Sequence, residues 1–502
     1  MTNKNDSSLL LGIDVGTSSV KVSVVDAETQ RSVVSVTYPD DTEREIKSPK
    51  PDWAEQSPQQ WWSDVKAAIE KSQAENKYNP ERIVAIGITY QMHGLVIVDK
   101  EQNVLRDAII WCDSRTEKQA DQGLQAIGEE KSLSHLLNFP GNFTASKLAW
   151  VKENEPGIYA KTGKFMLPGD FIAMKLTGEI TSTISMLSEG VFWDFKNKEI
   201  SKDILQTFGF DASLFPERKP LFSVHGLVTK EIAGELNIPA GIPVTYKAGD
   251  QPNNALSLNV FEPGEIAATA GTSGVIYAVA DDLVYDKLSR INTFAHVNHT
   301  NENSRTGVLL CINGTGISNR WIKNIVDENL SYQQINEFAS AVEIGSEGLL
   351  FLPFGNGVER MLCNRHVGAG FSNINLNAHS KAHLFRAVQE GIAFSFRYGL
   401  DIMRENGMQT KVVKAGKANM FLSKVFTQAF VNTTGLTVEL YNTDGSVGAA
   451  LGAGIGLGIF EKPQDAFSKL ELLETIHPDE EKVKKYEAVY QRWKDCLGRN
   501  LN

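Results

Sequence analysis

Three kinds of segment in this 502-residue chain combine residue types that can do chemistry. GIDVGTSSVK, residues 12–21, sets Asp14 before a Gly-Thr-Ser turn. Gly16 lets successive N–H groups point into one concavity, a nest that favours anions, while Thr17, Ser18 and Ser19 add short donors for phosphate oxygens. Asp14 is then a carboxylate able to hold Mg²⁺ through water. The turn recurs at Gly271, Thr272, Ser273 and Gly274 within EIAATAGTSGVIYAV. Two donor loops can close on a polyphosphate from opposite sides, although each alone is equally an ordinary surface hairpin. Neither is a P-loop or a dinucleotide fingerprint, because no Gly-x-x-x-x-Gly-Lys-Ser/Thr and no strand-to-helix G-x-G-x-x-G is present.

The second kind is a carboxylate at a strand end. Asp250, in AGDQPNNA, follows the apolar run PVTYKA and precedes a predicted helix. It can cap that helix, or take a proton from an attacking hydroxyl as phosphoryl transfer requires. The third kind is QMHG, residues 91–94, closing the run IVAIGITY. His93 can pack there, or face a crevice and hydrogen-bond a polyol. In WCDSR, Asp113 and Arg115 read as a structural ion pair. His296 and His299 have H-x-x-H spacing but no third ligand or helical context to make a metal site.

The elements that must position these residues follow from periodicity. Residues 9–38 alternate β-branched and polar residues as two or three strands. SPQQWWSDVKAAIEKSQAE predicts a helix, with Ser57 as N-cap, Pro58 at the first position and Gln60 completing a capping box. RIVAIGITYQ then reads as a strand buried on both faces. The second half repeats the order: the strand PVTYKAG, the 265–279 hairpin, the strand VLLCING, a long helix ending near Gly407, the strand KVVKAG, and a helix around FLSKVFTQAFVNTTG. Such length exceeds one ordinary core, so two distantly repeated α/β halves are expected, with a ligand cleft between them and a boundary near residues 255–265. The final charged segment, EEKVKKYEAVYQRWKDCL, reads as an amphipathic helix lying on the surface.

Bulk composition narrows the function classes. With 50 basic against 61 acidic residues, net −11, and no basic cluster interleaved with aromatics, a nucleic-acid or acidic-membrane surface is not expected. Four cysteines without C-x-x-C spacing suggest neither a disulfide framework nor a zinc knuckle. No leader or long apolar run appears, so a cytoplasmic location without membrane contact is expected.

GIDVGTSSVK, WAEQSPQQWW, GITYQMHG, AIIWCDSR, NFTASKLAW, LPGDFIAMKLTGE, AGDQ, AGTSG and GSVGAALGAG, in that order, resemble the FGGY carbohydrate kinase family over nearly the whole chain. The resemblance implies two duplicated ribonuclease H-like domains of the actin and hexokinase type, with an interdomain cleft. An N-terminal domain at 8–257 would bind sugar and carry the first phosphate loop. A C-terminal domain at 262–460 would bind nucleotide, and 461–502 would be a helical extension. It implies ATP and Mg²⁺ as cofactors, a small sugar as the other partner, and a homodimer as a common assembly. Carried over by position, Asp250 is the general base and Asp14 the metal aspartate. Thr17 and Ser18 match the first phosphate loop, and Gly271, Thr272 and Ser273 the second. Met92 and His93, with Gln91 and Trp53 of WAEQ, match the sugar site of members acting on D-xylulose. Another ketose, a polyol or gluconate is the nearest alternative substrate, and a non-catalytic actin-like ATP-binding or sugar-sensing protein a more distant one. The family's Gly-Gly-Gly-Ala adenosine loop appears as Ala415, Gly416, Lys417, Ala418, which would put Lys417 beside the nucleotide. LPFGNGVERM also departs from the usual form, and no catalytic role follows for Glu359 or Arg360.

Overall fold

The computed structural model describes residues 7–40 and 44–501. In the first half, β1 (Leu9–Val15), β2 (Val20–Asp26) and β3 (Ser32–Tyr38) form an antiparallel meander. Helix α1 (Pro58–Ala74) covers β2 and β3, and the chain returns through β4 (Ile83–Tyr90), β5 (Gly226–Leu227) and β6 (Pro243–Gly249). The sheet order is β5-β6-β4-β1-β2-β3, with β4 parallel to both β1 and β6. These three parallel strands are buried on both faces, as a sheet covered on both sides requires. The capping box expected at α1 is absent. The Ser57 side chain makes no cap bond, and Gln60 instead donates to Asp64 (2.7 Å), which is already drawn into a buried ion pair with Arg44 (2.6 Å).

The second half repeats this plan. After helix α2 (Asp250–Ser257) come β7 (Ile266–Ala270), β8 (Gly274–Ala280), β9 (Asn292–Ala295) and β10 (Thr306–Ile312). The long helix α3 (Lys381–Glu405), β11 (Val412–Gly416), helix α4 (Lys424–Thr434) and β12 (Thr437–Tyr441) follow. Helix α5 (Gly445–Leu457), β13 (Leu472–Ile476) and helix α6 (Glu480–Leu501) complete the chain. Its sheet order is β9-β10-β8-β7-β11-β12-β13. From β3 through β5 in the first sheet, and from β10 through β13 in the second, neighbouring pairs run antiparallel, antiparallel, parallel, parallel, antiparallel. The two halves are therefore duplicated ribonuclease H-like domains, with β9 added at one edge of the second.

Two helices depart from a simple split. Helix α5 lies in the C-terminal half of the sequence yet packs on β1, β4 and β6 of the first sheet. Its glycines and alanines, facing Gly12 and Gly87, allow backbone to approach backbone. A Cβ on Gly12 would stand 1.8 Å from the Ser446 carbonyl oxygen, and one on Gly87 would stand 1.9 Å from that of Ala449. Thr245 Oγ1 donates to the Ala453 carbonyl (2.8 Å), pinning the helix to β6. Helix α6, expected on the surface, is part of the second core. Tyr486, Tyr490 and Trp493, spaced to share one helix face, are all buried, and Trp493 Nε1 donates to the Phe351 carbonyl (2.8 Å). Its many charges occupy the other face and obscure the stripe in composition.

Candidate active site

Register alone gathers the chemistry-bearing residues of the first domain. Val15 of β1 pairs with Tyr90 of β4, and Tyr90 pairs with Gly249 of β6, so three parallel strands end level. The residues that follow, Gly16–Thr17, Gln91–His93 and Asp250, emerge together at the carboxyl edge, where open α/β sheets bind ligands. The Thr17 hydroxyl donates to Gln91 Oε1 (3.2 Å) and accepts from Trp111 Nε1 (2.9 Å). Gln91 and the Thr17 carbonyl are both tied to Gln56 (2.9 Å each). Trp53 supports this wall from behind: its ring lies 3.8 Å from the Arg115 guanidinium, which is fully buried and paired with Asp113 (2.6 Å) and Glu55 (2.7 Å). Asp113 and Arg115 are thus the structural ion pair the sequence suggested.

Acidic residues meet two helix N-termini at the floor of the cleft. Asp14 is pushed up to about 7 by burial and by the neighbouring charges of Asp250 and Asp444, with Lys21 opposing. Burial raises Asp250, the first residue of α2, to about 6. Asp444 caps α5 by accepting from the Ser446 and Val447 amides (3.0 and 3.1 Å) and pairs with Lys21 (2.6 Å). Although burial raises Asp444, Lys21 and these hydrogen bonds hold it below the ordinary carboxylate range. A Cβ on Gly445 would stand 2.5 Å from Asp14 Oδ2, so the Asp14 carboxylate rests on the first turn of α5. Asn253 Nδ2 of α2 donates to the Gly445 carbonyl (2.8 Å), tying the two helix starts together. Positive helix ends facing one cavity favour phosphate.

The donor chemistry also fits Mg²⁺. Among the described residues no group of three or more His, Cys, Asp or Glu forms a ready ligand cage. Mg²⁺ in phosphoryl-transfer sites takes one or two carboxylates, waters and substrate phosphates instead, and Asp14 crowded by two further carboxylates is such a partial set.

The opposite wall carries His93. Its backbone is left-handed (φ 63°), an arrangement that costs a non-glycine residue on the order of 1–3 kcal/mol unless its surroundings enforce it. The His93 amide donates to Glu189 Oε1 (3.1 Å), and Lys147 Nζ donates to the His93 carbonyl (2.9 Å). Nδ1 lies 2.9 Å from the Glu189 carbonyl oxygen. A carbonyl can only accept, so Nδ1 carries the proton and Nε2 presents a lone pair. Burial, with the nearby Lys147 charge, lowers His93 to about 3 and keeps it neutral. Phe143 and Phe294 flank its ring (centroids 5.1 and 5.3 Å), the latter from the second domain. Met92 lies against Gly249, whose Cβ would stand 2.6 Å from Met92 Cγ.

Across the cleft, the second Gly-Thr-Ser loop is held by backbone bonds. The Gly316 and Ile317 amides donate to the Gly271 and Thr272 carbonyls (2.9 and 3.1 Å). A Cβ at Gly316 would stand 2.4 Å from the Gly271 oxygen, so the helix Gly316–Asp327 starts directly against the loop. Gly416 ends β11, and Lys417 Nζ pairs with Glu474 (2.9 Å) in a half-exposed ion pair. Glu359 accepts from the Asn313 amide (2.9 and 3.1 Å), while the Arg360 guanidinium reaches across to stand 5.9 Å from the Phe143 ring. His296 is occupied by Tyr277 and the Val260 carbonyl (3.0 Å each).

Comparison with known proteins places this geometry. Residues 9–257 match the N-terminal domain, and residues 266–457 the C-terminal domain, described as the FGGY family of carbohydrate kinases. The chain belongs to the FGGY family. It is an ATP-dependent carbohydrate kinase, as the order of its motifs implied. Among curated FGGY relatives, the chain is 28% identical over 505 residues to the xylulose kinase of Bacillus subtilis, covering 97% of this chain and 96% of that one. It is 30% identical over 489 residues to the xylulose kinase of a Staphylococcus epidermidis strain, covering 96% and 95%. A solved xyloylose kinase structure from Brucella ovis superposes with a TM-score of 0.86 at 25% identity, covering 98% of this chain and 99% of that one.

Several contributors to this FGGY site escaped the sequence reading. Asp444 carried a visible signal, an Asp before the Gly-Ser start of an apolar helix. Lys21 could be found only through the β1–β2 register that pairs it with Asp14. Glu189 ends a short helix with no local pattern to announce it, whereas Lys147, in the helix Thr144–Asn154 within NFTASKLAW, and Arg360, in LPFGNGVERM, lie in segments the sequence singled out without giving either residue a role.

Proposed function

We propose that this kinase transfers the γ-phosphoryl group of ATP to the O5 hydroxyl of D-xylulose, giving D-xylulose 5-phosphate and ADP. The observation that carries the reading is the level ending of β1, β4 and β6, which presents Asp14, the Met92–His93 pair and Asp250 along one cleft edge. The relatives named above supply the substrate class. His93 Nε2 accepts a hydrogen bond from a sugar hydroxyl, while Gln91 and Met92 shape the same wall and Trp53 braces it. Asp250 takes the O5 proton as that oxygen bonds to the γ-phosphorus and the bond to the ADP oxygen breaks. A value of about 6 leaves Asp250 ionised at neutral pH yet basic enough to accept that proton.

Thr17 and Ser18 on one side, and Gly271, Thr272 and Ser273 on the other, bind the phosphates. Asp14 is the carboxylate that would hold Mg²⁺, which when bound neutralises phosphate charge. Gly416 and Lys417 border the nucleoside end. Because positioning supplies much of the rate in such reactions, the two domains close on substrate and exclude water. A coupled ADP-release assay tests the reading. Turnover with D-xylulose should exceed turnover with ribulose, glycerol and gluconate. Preference for any of these three would overturn the substrate assignment.

A further inference from the structure

Glu189 ends the short helix Ile184–Glu189, in a segment to which neither the motifs nor the proposed reaction gives a role. Its carboxyl group is buried. Among the described residues no lysine or arginine pairs with it. Its polar contacts are the His93 amide (3.1 Å), the Tyr90 hydroxyl (3.3 Å) and, through its main-chain carbonyl, His93 Nδ1 (2.9 Å). A Cβ on Gly249 would stand 2.8 Å from Glu189 Oε2, so the carboxyl lies against the residue preceding Asp250. One side chain therefore touches the ends of β4 and β6, between the sugar-contacting histidine and the base.

We infer that Glu189 is a positioning residue for the sugar site: its side chain holds His93 in the left-handed conformation that presents Nε2 to a substrate hydroxyl. The inference rests on the sugar-kinase reading above and deepens it. The geometry supports the neutral form, because the buried carboxyl has no directly paired cation, the nearby Lys147 ammonium being bonded to the His93 carbonyl (2.9 Å), while Asp250 adds a like charge. Burial first, and then the Asp250 charge, lift Glu189 well above the ordinary carboxylate range. A protonated carboxyl still accepts from the His93 amide through one oxygen, as a glutamine amide would. An alanine would leave that amide without its partner in a buried place and release the left-handed turn. A lost buried partner corresponds to about a tenfold effect or more.

The test uses the full-length enzyme with saturating MgATP and whichever panel sugar the wild type phosphorylates. Failure of the D-xylulose assignment thus shows in the wild type before any variant is made. E189Q should keep kcat/KM for the sugar within about threefold of wild type. E189A should raise KM for the sugar about tenfold or more, with KM for ATP nearly unchanged. In the H93A background, adding E189A should raise sugar KM no further, since residues acting through one another are not additive. The inference is overturned if E189Q loses as much as E189A, which would require a charged group. It is equally overturned if E189A raises both KM values alike, or if the two alanine effects simply multiply. Should E189A not fold, E189Q and an E189Q/H93A pair carry the same decision: Gln at wild-type KM supports the inference, and a tenfold rise overturns it.

Discussion

Replacing Asp14 by asparagine should make the ligand-free enzyme more stable at alkaline pH while abolishing its activity. The fold raises Asp14 from 3.8 to about 7, chiefly by burial and then by Asp250 and Asp444. At ~1.4 kcal/mol per pH unit of displacement, that corresponds to about 4 kcal/mol against the ionised folded state. Asp14 remains partly open to the cleft, and screening there reduces the effect to about 2 kcal/mol. The sign follows from linkage. A carboxyl group favoured in its protonated form by the fold contributes stability fully present below pH 3.8, and that contribution is lost as pH rises through about 7. D14N removes this dependence and keeps the shape. Thermal unfolding of wild type and D14N without metal or nucleotide, at pH 5 and pH 8, is the assay. The N-terminal transition of D14N should gain roughly 4–8 °C on wild type at pH 8, and much less at pH 5. Other titrating groups are common to both proteins, so the difference reports Asp14 together with its coupling to Asp250, Asp444 and Lys21. Equal differences at both pH values, or a less stable D14N at pH 8, would refute the idea that burial and the neighbouring carboxylates disfavour ionised Asp14.

D250N should fold, melt no lower than wild type at neutral pH and lose about 10²–10⁴-fold in kcat; near wild-type turnover would remove Asp250 from the base role. In wild type with saturating MgATP, kcat/KM for the sugar should fall as pH drops through about 6, where Asp250 gains its proton. An acid limb near pH 4 instead would mean that the buried environment does not set the base. G87A should lower the melting temperature and soluble yield by costing about 1–3 kcal/mol, because the added methyl meets the Ala449 carbonyl. W493A should destabilise the second domain by about 3–5 kcal/mol, read as a shift in its unfolding transition, and an unshifted transition would return α6 to the surface.

The cleft edge was legible because strand ends carry short, distinctive patterns: an Asp before Gly-Thr-Ser, a His after a buried run, an Asp after another. Parallel register then made three separate motifs one site. The strand-and-hairpin order also exposed the duplication, since each copy opens with the same turn. What local pattern concealed lies in long-range packing. Nothing within GSVGAALGAG says that α5 will cross back to the first sheet; that depends on Gly12 and Gly87 far away in sequence. The buried stripe of α6 was hidden by the charges on its other face. Glu189 and Lys147 act on His93 from helices distant in sequence, and such contacts have no period to read. Lys417, expected beside the nucleotide, is held by Glu474 on β13, a partner 57 residues on.

The central claim, a kinase for D-xylulose, is tested most directly by kcat/KM for ADP release across a panel of D-xylulose, ribulose, glycerol and gluconate at fixed MgATP. The account predicts the largest kcat/KM with D-xylulose, lost in D250N. A larger value with another sugar, or ADP release from D250N at the wild-type rate, would contradict it.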